Sequence, residues 1–184
     1  MRNAKDNFER ITSLLKVSSN QIHVYLYPDL TAYHQAAGWP DMQDWMVGHI
    51  ADGAIHIVSP TNPGPMHDFD SILKVAVHEF VHIAAEILNP TMDRPFIVEG
   101  LAMYLAGQNE NVDLAARYML SASSIPDVAT ILGHDWGIGI YEVGYAFIEF
   151  IVAEFGMTSW CNFMQTLMFS RFLVCDATNS MKCG

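Results

Sequence analysis

A chain of 184 residues, 51% apolar and 16% charged, is long enough for one domain with its own core and too apolar to stay disordered. Nine basic against 20 acidic residues leave a net charge of −11, which argues against nucleic acid and anionic membrane surfaces as partners. No apolar run reaches the roughly 18 residues of a membrane span. Cys161, Cys175 and Cys183 are odd in number and lack a Cys-x-x-Cys pair, so neither a disulfide framework nor a cysteine zinc site is expected.

The chain opens on an amphipathic helix carrying Phe8, Ile11, Leu14 and Leu15, with no signal-peptide core. That and the plain reading of the cysteines as reduced thiols point to the cytoplasm. Residues 21–27 alternate as a strand, with Ile22, Val24 and Leu26 on one face and His23, Tyr25 and Tyr27 on the other. A short helix over 29–37 carries Tyr33 and His34 and is broken by Gly38-Trp39-Pro40. Residues 45–50 read as a second short strand. The pair Asp52-Gly53 turns the chain into a third, over 54–59, which Pro60 ends. A loop over 61–66 leads to a long helical run over 71–88, capped by Asp68 or Asp70 and closed by Asn89-Pro90. Pro95 opens the next helix, with Asp93 as a candidate cap, and Gly107 ends it. Beyond Gly107 the pattern is helical: 111–121, 126–132, 141–155, and 159–170 with Thr158 as cap. The expected architecture is a single α+β domain over 1–184. A small mixed or antiparallel sheet with its packed helix fills about 20–90, a helical half follows over 91–172, and a polar tail covers 173–184.

The long helix carries Val77-His78-Glu79-Phe80-Val81-His82, the pattern His-Glu-x-x-His. Residues four apart share a helix face, so His78 and His82 can direct two ring nitrogens at one metal ion. Glu79 is one step round from His78, where a general base for a metal-bound water should sit. With 8 histidines in the chain, chance placement yields only about 0.015 such matches. The bland alternative is a pair of surface histidines satisfied by hydrogen bonds. A zinc ion that does chemistry wants a third protein ligand and one open position. Glu99 is the only acidic residue between Pro95 and Gly107, set among Ile97, Val98, Leu101, Ala102 and Met103. A carboxylate there is costly to bury unless it is paired or binds a metal. Glu86 follows His82 by one turn on the same helix and Asp93 looks like a cap, so both rank below Glu99.

His-Glu-x-x-His followed by Glu99-Gly100-Leu101-Ala102-Met103-Tyr104 resembles the gluzincin metallopeptidases, in particular their compact peptidase-MA-like group. The likeness runs over about 22–168, with Phe96 where these families often have Trp. It implies a zincin-like fold, zinc on His78, His82 and Glu99, and Glu79 as the base. It also implies that residues 54–59 are an edge strand at the rim of the cleft, holding extended substrate by strand addition, so that proline at Ile57 should harm turnover more than zinc content. Tyr141-Glu142-Val143-Gly144 resembles the Tyr-Glu-x-Gly signature of the aminopeptidase branch, whose tyrosine stabilises the tetrahedral intermediate. Carried over, that role falls on Tyr141, with Tyr145 one turn on as fallback and a core tyrosine as the bland alternative. The Gly-x-Met-Glu-Asn stretch that holds a substrate amine in that branch is absent. So is the aspartate that often follows the third ligand by four residues, a place held here by Met103. An exopeptidase is therefore not expected, and the groups behind the histidines stay unassigned. Among the other histidines, His56 on the rim strand and His134 before Tyr141 are candidates to reach the cleft.

The expected activity is zinc-dependent hydrolysis of peptide bonds in a peptide or protein substrate, as a probable endopeptidase. The alternatives are a zinc-binding regulatory or interaction module that no longer cleaves, and a metal-free interaction domain of the same shape.

Overall fold

Asp52 and Gly53 both adopt left-handed backbone, φ 52° and 72°, as a two-residue type I′ hairpin turn requires. The turn joins β2 (Gly48–Ala51) antiparallel to β3 (Ala54–Val58). On the other side of β3 lies β1 (Val24–Tyr27), in parallel register with Val24 opposite Ile55 and Tyr27 opposite Val58. The sheet is thus mixed, in the order β1-β3-β2. The structure is a computed structural model that describes residues 4–18, 21–90, 95–110 and 140–179; beyond 162 it describes the backbone and the Met164 side chain. The expectations over 111–121 and 126–132, and those for Asp93 and His134, lie outside the described residues.

The strand order corrects one expectation. Residues 54–59 were expected at the rim, but β3 is the central strand and pairs along both edges. Its burial explains why. Ile55 and Ile57 are buried on one face and Ala54 and Val58 on the other, and a strand covered on both faces belongs inside a sheet. Proline at Ile57 would remove a hydrogen bond from the middle of the ladder, so it would report on folding and not on substrate. The free edge beside the long helix belongs to β2. Strand β1 departs in another way: Val24 is 48% and Leu26 61% exposed. Its alternation marks a strand, but not a buried face.

Helix α1 (Ala4–Leu15) buries Ile11 and Leu15 and stacks Phe8 on Phe80, ring centroids 4.4 Å apart. Helix α2 (Leu30–Ala37) starts at Asp29, whose carboxylate accepts from Ala32 N–H at 2.8 Å, and buries Tyr33 and His34. Helix α3 (Phe69–Leu88) lies across β2 and β3 and packs on α1. Asp68 caps it reciprocally: its carboxylate accepts from Ser71 N–H at 2.8 Å, while Ser71 Oγ accepts from Asp68 N–H at 2.9 Å. Helix α4 (Pro95–Ala106) packs on α3 and on α5 (Ile140–Asn179). Gly156, at φ 78° and ψ 155°, breaks α5 between the two helical stretches read from the sequence. The backbone stays helical through Asn179, past the tail expected from 173, where no glycine or proline interrupts it. One apolar core draws on α1, β3, α3, α4 and α5. No helix among the described residues is long and apolar enough to cross a membrane.

Candidate metal centre

Four-residue spacing on α3 brings the Nε2 atoms of His78 and His82 to 2.9 Å from each other. Helix α4 carries Glu99 Oε2 to 3.1 Å from the first and 3.5 Å from the second. Ligand atoms about 2.05 Å from a tetrahedral zinc stand about 3.3 Å apart, and the three distances bracket that figure. Among the described residues this is the single group of three His, Cys, Asp or Glu side chains placed to hold a metal ion. His78 and Glu99 are buried. Acceptor atoms so close and so dry need protons or a cation among them. Burial alone would raise the Glu99 carboxyl, but hydrogen bonds from His78 and His82, with their charge, outweigh it and hold the group down to about 2. Glu99 therefore meets a cation as a carboxylate. Glu86 is exposed and lines the same cleft, yet it is outside the group of three.

Glu79 is 8% exposed. Burial pushes its carboxyl up to about 7, with His78 pulling down and Glu99 pushing up. It lies against the backbone of β2. A Cβ built on Gly48 would stand 2.8 Å from Val75 Cγ1 and 3.4 Å from Glu79 Oε1. Gly48 thus lets the edge strand approach α3, a role that an isolated glycine within a short strand can signal. Val58 N–H donates to Val47 C=O at 2.9 Å. By the alternation of an antiparallel ladder, residues 47, 49 and 51 turn their backbone groups to β3, and Gly48 and Ile50 turn theirs outward. That edge forms one wall of a cleft of about 1250 Å³, which α3 lines from Ser71 to Asn89. At 1.5 Å per residue the lining spans about 27 Å, room for about eight residues of extended chain.

Tyr141 opens onto the same cleft from the first turn of α5. Its hydroxyl is pushed up to about 12 by burial, then by the charges of Glu99, Glu79 and Glu142, so it stays a protonated donor at neutral pH. Tyr145 does not line this cleft: it packs on Tyr104 and donates to Glu149 at 3.4 Å. His56 is also outside. It stacks between Tyr25 and His49, and its Nδ1 meets the Tyr27 hydroxyl at 2.8 Å. It shares a sheet face with Ala54 and Val58, opposite the face on α3. His49, its cross-strand partner, stacks on it on that same face and is among the residues that border the cleft. His34 and His67 bond backbone carbonyls of the rim segment, at Met46 and Trp45.

Three further features were not read from the sequence. Gly48 is one. Another is the Gly100–Gly144 contact, where α4 and α5 meet backbone to backbone. The third is Gln108, whose Oε1 lies 2.7 Å from His78 Nδ1. No protein-family model, curated protein or solved structure matches the chain. The likeness to gluzincins therefore stands on the motif residues quoted above.

Proposed function

We propose that this chain is a zinc-dependent peptidase of the gluzincin type, zincin-like in fold, that cuts within peptide chains. The observation that carries the reading is the convergence of His78, His82 and Glu99 beside a buried, basic Glu79 in a long open cleft. A zinc ion held by the three side chains would supply Lewis-acid activation of a water and of the scissile carbonyl. Glu79 takes the proton of the attacking water and delivers it to the departing amine, a task suited to a buried carboxyl held beside the cluster. Gly48 and Ile50 offer outward backbone groups to an extended substrate, which fixes the peptide with little regard to its sequence. Tyr141 donates to the oxygen on which negative charge develops. A cleft lined over some 27 Å by the described residues favours internal bonds.

Two histidines and a carboxylate also suit iron(II). Glu79, held dry beside them, favours hydrolysis and hence zinc. Metal analysis of protein purified without added metal tests this. About one zinc per chain is expected in the wild type and loss of it in Glu99→Ala. Iron in its place, or no zinc after zinc is offered back, overturns the reading.

Tyr141→Phe removes only a hydroxyl. It should keep the metal and lower kcat by about 10²- to 10³-fold, the usual cost of one donor to a developing oxyanion. Turnover is read on a proteome-derived peptide library by mass spectrometry. An unchanged kcat would take Tyr141 out of the mechanism.

A further inference from the structure

We propose that Gln108 is the positioning residue of the metal centre: it holds His78 with the proton on Nδ1 and thereby keeps Nε2 for the metal. The inference rests on the metal-site reading above and deepens it.

The side-chain oxygen of Gln108 is 2.7 Å from His78 Nδ1. A carboxamide oxygen only accepts, so the ring nitrogen facing it must be the donor. With Nδ1–H committed to Gln108, the nitrogen available as a ligand is Nε2, the atom that already faces His82 Nε2 and Glu99 Oε2. Gln108 thereby keeps the proton on Nδ1 and leaves Nε2 turned to the cluster. An apolar side chain in its place would leave Nδ1–H without this acceptor and would free the ring to swing about χ2.

The chain fixes Gln108 in a definite way. Gly107 takes φ 70° just past α4. Its N–H donates to Tyr104 C=O at 3.3 Å, and the Gln108 N–H donates to Met103 C=O at 3.0 Å. These two bonds form a Schellman motif, with Gln108 as the second residue beyond the cap. Gln108 is therefore tied to the end of the same helix that supplies Glu99. Helix α4 and the cap that ends it grip the His78 ring at both nitrogens, Glu99 on Nε2 and Gln108 on Nδ1. The position four residues after Glu99 holds the apolar Met103. Gln108 does this work from nine residues on, as a neutral amide that adds no further negative charge beside Glu79 and Glu99.

The test is zinc affinity, measured by competition with a chelator of known affinity, on wild type, Gln108→Leu and Gln108→Glu. Loss of an outer partner of a ligating histidine costs about 10- to 100-fold in metal affinity, so that loss is expected for Gln108→Leu. Gln108→Glu keeps an acceptor oxygen at the same reach and should hold affinity at or above the wild type. A structural role alone would not move the second readout, the ¹⁵N spectrum of the zinc-loaded protein. His78 should carry a slowly exchanging Nδ1 proton in the wild type, and that proton should exchange faster in Gln108→Leu. Wild-type affinity in Gln108→Leu, or a His78 that ligates through Nδ1, overturns the inference and leaves the metal site standing. Failure of the wild type to bind zinc removes both.

Discussion

Glu79→Gln is expected to lower kcat by about 10²- to 10⁴-fold, the usual contribution of a positioned acid–base group, with the metal content unchanged. The substitution keeps the shape of the side chain, so the close approach of Glu79 to Gly48 is kept. It removes a carboxyl beside the cluster that burial raises to about 7 in the metal-free site. The pH dependence follows from the same burial. The carboxyl is raised from 4.5 to about 7 in the metal-free site, and a bound cation draws it back down. The acidic limb of kcat/KM should therefore fall between pH 4.5 and 7, with the rate dropping about tenfold per pH unit below it. Stability runs the other way. A carboxyl whose folded pKa is raised stabilises the fold in acid, below its unfolded value, and that contribution is lost as the pH rises through about 7. Metal-free Glu79→Gln should accordingly melt higher than metal-free wild type at pH 8, as expected where a site keeps a charge that burial disfavours. The measurements are single-turnover rates across pH and paired thermal melts. An unchanged kcat in a zinc-loaded variant would reduce the protein to a binding module that keeps the metal and does not cleave.

Much of the site was legible because its signals are local. The i, i+4 histidines need only a helix to converge. Asp68 with Ser71, Asp52-Gly53, and Pro95 with Gly107 each set a boundary by chemistry within a few residues, and each boundary is where those residues put it within two positions. Glu99 stood out as a lone carboxylate on an apolar helix, a local anomaly with a local explanation. The rest depended on contacts between distant parts of the chain. Nothing within 54–59 says that β1 pairs on one side of it and β2 on the other, so the likeness to zincins put the rim one strand too late. Tyr141 and Tyr145 differ by a turn on one helix, and only the way α5 meets α4 decides which faces the cleft. Gln108 was unreadable for a related reason. A polar residue just past a helix end is ordinary, and its significance is a 2.7 Å contact with a ring thirty positions earlier. The two glycines at the α4–α5 crossing were in plain sight inside the quoted motifs, but their use is steric and has no signature in one chain.

Gly144→Ala is expected to destabilise the fold, by up to about 2 kcal/mol net, and to weaken zinc binding at the same time. Two effects oppose each other. Alanine improves helix propensity by about 1 kcal/mol over glycine, which alone would raise the melting temperature. Against that, a Cβ at Gly144 would sit 2.9 Å from Gly100 Cα and 3.0 Å from Gly100 N, and closer still to the Phe96 carbonyl oxygen. A Cβ at Gly100 would meet the Gly144 backbone in return, 2.6 Å from its Cα. These neighbours are backbone atoms of a packed helix, so no side chain can rotate away and the helices must separate. Forced repacking of this kind costs about 1–3 kcal/mol or more, which exceeds the propensity gain. Separation also has a chemical consequence. Glu99 is the residue before Gly100 and Tyr141 is three before Gly144, so the crossing that the glycines permit is what brings both side chains to one cleft. A shift of α5 off α4 moves Tyr141 away from Glu99, and any matching shift of α4 loosens Glu99 from the histidines. Thermal melts with and without zinc read both effects. A Gly144→Ala protein that melts higher than the wild type would mean that propensity wins and that α4 and α5 do not touch at this crossing.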